Sequence, residues 1–475
     1  MDVIKIGLDF GTHQTKICVQ RIPDEGHGEP IYEFFQFSDY KGNKHYTIPS
    51  VIQINEDDTL SYGFVGNKRI KVKSELILEN QEEPDVEFDI PSVAKDLYNK
   101  YSTSSTLPND IKVLECMLQI HLNHIMEWNA TTKEDIKKNH EELINERNKT
   151  TNVLRYFKQS SFCQHKWSKF NLISSDYACI LYLAYILFLL ENRFGTNFSI
   201  NIGIPTDDIS YSIKRKKAVE ILASSYYLVE DVYKNDLEKF LKEKYDTLIN
   251  KIIYRTYTKE LKNEYLINVF PEAYASLIAQ TSQGKVTEGM SLTVDIGGGT
   301  TDISFFTIEK GLPMIYKYWS IPIGLNYIAE SSGVDYSVDE LKSIFRKDVI
   351  DEYNTQKNDI VQDFVSLLKK IMQEKTSIPI TRLTEALKKR PLVYSGGGST
   401  LPSLITPVHT FSDLHITDSR IWTESNMKDK HDVSNMSVIL TTAYGLSLIN
   451  EDKEIELKNY SQLFNNLPRK DYFKY

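Results

Sequence analysis

The chain has 475 residues, 41% of them hydrophobic and 25% charged, which is room for two or more domains with an ample core. A formal net charge of -9 excludes the basic face that a reader of nucleic-acid phosphates needs, so no nucleic-acid partner is expected. The four cysteines, Cys18, Cys116, Cys163 and Cys179, share no paired spacing. The first residues, MDVIKIGLDF, lack both the basic start and the small-residue cleavage site of a signal peptide, so a reducing cytoplasm is the expected setting.

In chain order, the first element is a strand in which Ile4, Ile6 and Leu8 alternate into the loop Asp9-Phe10-Gly11-Thr12. The chain then returns through Ile17 and Val19. Lys16, on the returning strand, is placed to meet a β- or γ-phosphate as a point charge. Residues 74–170 read as a charge-rich helical insertion, with Val113, Leu114, Met117 and Leu118 at helical spacing. His121 and His124 lie one turn apart there, but with Cys163 and His165 they match no standard zinc spacing, and a polar helix face accounts for them. The apolar run YACILYLAYILFLL falls short of the roughly twenty residues of a membrane span and is flanked by Asp176 and Glu191. A helix buried on both sides is expected, with no membrane contact. Residues 209–269 read as further helices with surface for partner contacts.

The most informative stretch comes later, in SLTVDIGGGTTDISFF. Leu292, Val294 and Ile296 form a strand that enters Gly297-Gly298-Gly299, and Ile303, Phe305 and Phe306 continue on the far side. Amides with no side chains to shield them make an anion-binding concavity. Thr300 and Thr301 add hydroxyl donors, and Asp295 and Asp302 bracket the glycines, where a carboxylate holds a metal ion or orients water. A plain two-residue hairpin turn needs fewer glycines and leaves both acids unexplained. The first hairpin overlays this one at a constant offset: Asp9 falls on Asp295, Gly11 on Gly297, Thr15 on Thr301 and Ile17 on Ile303. Such a duplication predicts two similar α/β lobes facing each other across a cleft, each lending one loop to the same phosphates. Lys16 falls on Asp302, the one mismatch in charge.

These motifs resemble the ATPase superfamily that unites actin, the DnaK-type heat-shock chaperones and the sugar kinases. DFGT at Asp9–Thr12 resembles the first phosphate motif, DIGGGTTD at Asp295–Asp302 the second, and VYSGGGSTLPSL, with Gly396, Gly397, Gly398 and Ser399, the adenosine motif. INIGIPTDD resembles the strand ending the first half of lobe I. FPEAYASLIAQ resembles a connecting helix that opens on a water-positioning glutamate, here Glu272, and SVILTTAYGLSL resembles the closing helix. The resemblance implies an α/β fold of two actin-like, ribonuclease H-like lobes with helical insertions: lobe I over 1–288 with an inserted subdomain over about 40–170, and lobe II over 289–475 with an outer subdomain over about 334–390. It implies ATP or ADP with Mg²⁺ as cofactors. Gly11, Thr12, His13, Gln14 and Lys16 would hold phosphate together with Gly297, Gly298, Gly299, Thr300 and Thr301. Asp9 and Asp295 would act on the metal through water, and Glu272 would position the attacking water.

NKHYTIPSVIQI and the three glycines with threonine resemble the DnaK type, whereas Lys16 resembles the phosphate lysine of actins and ParM-like filament proteins. Departures are His13 and Gln14 after the first Gly-Thr, and Leu401 in place of the chaperone arginine that stacks on adenine. The chaperone subdomain IB lysine has no clear counterpart, with Lys71 and Lys73 as candidates. Glu340, Lys342, Arg346 and Lys347 are candidates for holding ribose and adenine. The chain after the closing helix is shorter than a chaperone substrate-binding domain. The implied function is a slow ATPase acting as a conformational switch on a protein partner or client. The alternative is an actin-like ATPase that self-assembles into filaments. A small-molecule kinase is disfavoured, because no acid is placed to activate a substrate hydroxyl.

Overall fold

The computed structural model describes residues 2–23, 28–65, 153–162, 173–205, 211–284, 289–309, 311–321, 346–359, 392–406 and 436–450, with isolated residues between them. Most of the 74–170 insertion, Lys71, Lys73, His121, His124, Glu340, Lys342 and the tail after 450 lie outside the described residues.

Alternating apolar residues make β1 (Val3–Phe10) and β2 (Gln14–Ile22) an antiparallel hairpin, and β3 (Ile31–Phe34) extends it antiparallel. A two-stranded ribbon follows, β4 (Phe37–Ser38) with β5 (Lys44–His45). β6 (Thr47–Pro49), from the IPSV segment, pairs with the start of β2, so that Lys16 lies opposite Thr47. β7 (Ile52–Ile54) pairs with β8 (Leu60–Tyr62) and with β9 (Val153–Leu154), which brings the chain back after the insertion. β9 leads into the short helix α1 (Phe157–Phe162).

Helix α2 (Ser175–Phe194) contains the apolar run, starts on a Ser174 side chain that accepts from the Tyr177 amide, and stops at Gly195 with φ 73°. At 20 residues it is long and apolar enough to cross a bilayer, yet its apolar stretch is mostly buried inside the protein, as the sequence predicts for a core helix. The Phe10 and Tyr182 rings stack 5.7 Å apart, fixing α2 against the sheet, and α3 (Tyr211–Tyr226) packs on α2. β10 (Phe198–Ile204) joins β1 in parallel, and β11 (Ile267–Pro271) joins β10 in parallel.

Helix α4 (Glu272–Ser282) leaves the end of β11. β12 (Gly289–Ile296), β13 (Thr301–Glu309) and β14 (Leu312–Ile321) are antiparallel neighbours, while β15 (Leu392–Ser395) and β16 (His415–Ile416) add in parallel. The orders β3-β2-β1-β10-β11 and β14-β13-β12-β15-β16 are therefore one topology used twice. A helix over 347–359, α5, lies between β14 and β15 in sequence, and α6 (Ser437–Leu448) closes the described chain.

Helices α4 and α6 pack on each other and on strands of both sheets. Small residues allow this approach. A Cβ on Gly445 would sit 1.8 Å from the Ala275 carbonyl oxygen, and one on Gly7 would sit 2.3 Å from that of Ala443. The buried Asn201 amide donates to the carbonyls of Leu446 (2.8 Å) and Ile449 (2.9 Å), satisfying groups the end of α6 leaves open, and accepts from Asn268 at 3.1 Å. The protein is thus a mixed α/β structure in which two helices join two like sheets.

Candidate functional site

Both glycine hairpins end their strands at one cleft, of about 880 Å³ counting the space open to solvent. In the first, Asp9 lies opposite Lys16 in the ladder, and Lys16 Nζ donates to Asp9 Oδ2 at 2.9 Å. In the second, Asp295 lies opposite Asp302, and Thr300 Oγ1 donates to Asp302 Oδ2 at 3.0 Å. The overlay seen in the sequence is therefore a structural equivalence, and the charge mismatch falls on the same ladder position.

The loops need their glycines for space. A Cβ on Gly11 would sit 2.2 Å from the Gln14 carbonyl oxygen, and one on Gly299 2.7 Å from Thr12 Cγ2, so the two loops touch across the cleft. Ser50 supports the first loop from outside, its hydroxyl donating to the Gly11 carbonyl at 2.7 Å and its amide to that of His13 at 2.8 Å. The third glycine turn stands directly on the second hairpin. Gly396 adopts φ 79°, and its Cβ would collide with Asp295 Oδ1 at 2.3 Å.

Glu272 is the first residue of α4, and Gly203 on the neighbouring strand makes room for it, since a Cβ there would lie 2.9 Å from Glu272 Cγ. Its carboxylate accepts a hydrogen bond from Lys158 Nζ. Lys158, on α1, is buried and lies 5.5 Å over the Phe10 ring.

Crowding of acids sets the electrostatics. Burial first, then the charges of Asp302, Glu272 and Asp9, push the Asp295 carboxyl up to about 7, against the pull of Lys16. Glu272 is raised too, chiefly by burial, with Lys158 opposing. Burial, helped by Arg155 and Lys16, holds the His13 imidazole down to about 3, so it is neutral at physiological pH.

Of the residues the sequence nominates, Asp9, Gly11, Thr12, His13, Gln14, Lys16, Glu272, Asp295, Gly297, Gly298, Gly299, Thr300, Gly396 and Gly397 line this one cleft. Thr301, Gly398 and Ser399 do not. Thr301 is fully buried behind the loop, its hydroxyl donating to the Ile323 carbonyl at 2.8 Å and paired with the Tyr353 hydroxyl at 2.7 Å, because strand alternation turns Asp302 to the cleft and Thr301 away. Ser399 folds back, its hydroxyl donating to the Gly396 carbonyl at 2.7 Å. Arg346 pairs with Asp348 at the surface and, like Lys347, does not line the cleft.

Sequence reasoning missed Lys158. The candidates Lys71 and Lys73 follow the IPSV segment, whereas the chain rejoins β7 only at β9, and the signal was the short strand Val153–Leu154 followed by a lysine four residues on. Pro205, Leu325, Ile439 and Thr442 complete the lining. A scan against protein-family models finds no match for this chain, and a search of curated proteins finds none.

Proposed function

We propose that this chain is a Mg²⁺-dependent ATP-binding and ATP-hydrolysing protein of the actin and DnaK-type chaperone superfamily, its two sheets forming actin-like lobes, and that it works as a nucleotide-driven switch on a protein partner. The observation that carries this reading is the meeting of two equivalent glycine hairpins, each with a carboxylate at its base, in one cleft beside a third glycine turn.

The residues present fit a hard cation. Asp9, Asp295, Asp302 and Glu272 offer only oxygen donors and outnumber the ammonium groups of Lys16 and Lys158, so a polyanion entering this cleft needs a further positive charge. Among the described residues, no group of three or more His, Cys, Asp or Glu side chains is spaced to hold a metal by itself. Asp9 and Asp295 would hold such an ion through its waters. Bound Mg²⁺ would neutralise charge on the phosphate oxygens.

The chain's own groups supply the rest. Loop amides from Gly11 to Gln14 and from Gly297 to Thr300 cradle phosphate oxygens, and Lys16 places its charge at the terminal phosphate. The Glu272 carboxylate accepts a hydrogen bond from the attacking water and so positions it, and Lys158, rather than Lys71 or Lys73, fixes the carboxylate's orientation. His13, being neutral, adds no charge to the phosphate wall. The turn Gly396–Gly397 takes the nucleoside end. Loss of the terminal phosphate then loosens the contact between the Gly299 and Thr12 loops, which reports nucleotide state to a partner.

Replacing Asp295 by Asn tests the reading in the full chain. We expect Mg²⁺-dependent ATP binding by calorimetry and phosphate release both to fall about a hundredfold. An Asp295→Asn protein that binds and turns over ATP like the parent overturns the assignment. The second reading, a filament-forming ATPase, is favoured by Lys16 in the cleft wall. ATP-dependent sedimentation of the purified protein selects it, and a supernatant that stays clear with slow turnover selects the switch.

A further inference from the structure

We infer that Lys357 is a positioning residue that pins the segment following the third glycine turn, so that a nucleotide is gripped at its nucleoside end by a turn coupled to the phosphate loop. The inference rests on the nucleotide reading above. Lys357 lies on α5 with no exposed surface. Its Nζ has three acceptors, the Leu404 carbonyl at 2.7 Å, Thr406 Oγ1 at 3.0 Å and Asn354 Oδ1 at 3.1 Å, one for each donor of its protonated form. Asn354, one turn earlier, donates to the Ser403 carbonyl at 3.0 Å. From the other side, the Tyr394 hydroxyl on β15 donates to the Thr406 carbonyl at 2.6 Å. Residues 403–406, one residue beyond the Gly396–Leu401 turn, are thus held by three side chains.

The same helix also reaches the other glycine motif. Thr301 gives its hydroxyl proton to the Ile323 carbonyl, so the Tyr353 hydroxyl donates to Thr301 Oγ1, at the first residue after the Gly297–Thr300 loop. Helix α5 therefore ties the phosphate loop and the adenosine turn into one unit. Lys357 Nζ also lies 5.3 Å over the Tyr394 ring and 5.7 Å over the Tyr353 ring, so one group holds both anchors.

Burying an ammonium is a poor way to stabilise a fold, since a hydrophobic replacement of similar volume is often neutral or stabilising. What such a group provides is direction: three acceptors must sit where it points. Lys357→Met should therefore keep the fold and lose the geometry.

The test compares Mg²⁺-ATP with Mg²⁺-tripolyphosphate, which shares the phosphates but lacks the nucleoside, by calorimetry on the full chain, with melting temperature as the check on folding. We expect Lys357→Met to weaken ATP about tenfold and leave tripolyphosphate within about twofold. Asn354→Ala, which also removes one acceptor of Lys357, and Tyr394→Phe, which leaves that ammonium's three hydrogen bonds in place, remove the other two pins and should shift the same ratio in the same direction, and they carry the test should Lys357→Met fail to fold. Unchanged ATP affinity in the folded variants, or equal weakening of both ligands, overturns the inference while leaving the nucleotide reading intact. A parent protein that binds neither ligand overturns that reading, and this inference with it.

Discussion

Lys158 and Glu272 show how a pair of side chains is made by the fold rather than by proximity in sequence, since they come from α1 and from the start of α4. Glu272 was reached in the sequence because the contiguous stretch FPEAYASLIAQ carries a resemblance that names it. Lys158 was not, because its place depends on where the chain returns after a long insertion, and nothing local encodes that. Thr301 failed for the opposite reason. Two adjacent threonines look equivalent in sequence, but a strand sends successive side chains to opposite faces, and Thr301 goes to Tyr353. For Lys158→Ala we expect phosphate release to slow about a hundredfold while ATP affinity changes only a few-fold, because under the proposed function the ammonium would orient the carboxylate that positions water rather than the loops. Single-turnover phosphate release alongside calorimetry checks this, and equal losses in both would place Lys158 on the phosphates instead.

The elements themselves were more legible than their ends. Both hairpins follow from apolar alternation and glycine placement and the buried helix α2 from its all-round apolar run, whereas the closing helix α6 was reached through the resemblance of SVILTTAYGLSL. The π-helical turn Tyr227–Val232 that continues α3 has no such signal, since its apolar pattern differs little from that of an α-helix. It also creates a cost. Glu191 on α2 is buried with neither carboxylate oxygen hydrogen-bonded, and burial together with the charge of Glu230 in that turn raises its carboxyl to about 7. A folded value above the unfolded 4.5 means the native state binds the extra proton between those two values, so this contribution to stability is complete below about pH 4.5 and lost as pH rises through about 7. Glu191→Gln should flatten that part of the pH profile and raise stability at pH 8 by about 1–3 kcal/mol relative to the parent. Denaturant melts at pH 5 and pH 8 measure it, and a parent that is equally stable at both, with no gain in the variant, refutes the account.

For the whole molecule, the duplicated hairpin motif has its counterpart in a duplicated sheet order, with a parallel strand, β10 or β15, paired to the first strand of each hairpin. What the motif did not convey is how near the two hairpins come. Gly299 packs against Thr12 from the opposite loop, and Gln159 of α1 lies close by, with its Oε1 3.0 Å from where a Cβ on Gly299 would sit. The atoms facing Gly299 belong to side chains, Thr12 Cγ2 and Cβ and Gln159 Oε1, so an alanine there asks for small shifts of these, whereas a valine has two further methyl groups to place in the same gap. Overpacking of this kind typically costs about 1–3 kcal/mol when the neighbours cannot yield. Here the neighbours belong to different halves of the protein, and the least costly response is for the loops to part. If cleft closure reports nucleotide state, Gly299→Val should bind ATP about tenfold more weakly without losing thermal stability, because the strain falls on closure and not on either sheet. Small-angle scattering supplies the decisive comparison: the parent should contract on adding Mg²⁺-ATP, and the valine variant, at saturating nucleotide, should contract less. A variant that closes as fully as the parent would show that the Gly299–Thr12 contact is incidental, and the switch would then have to be sought at the α4–α6 crossing, where Gly445 meets Ala275.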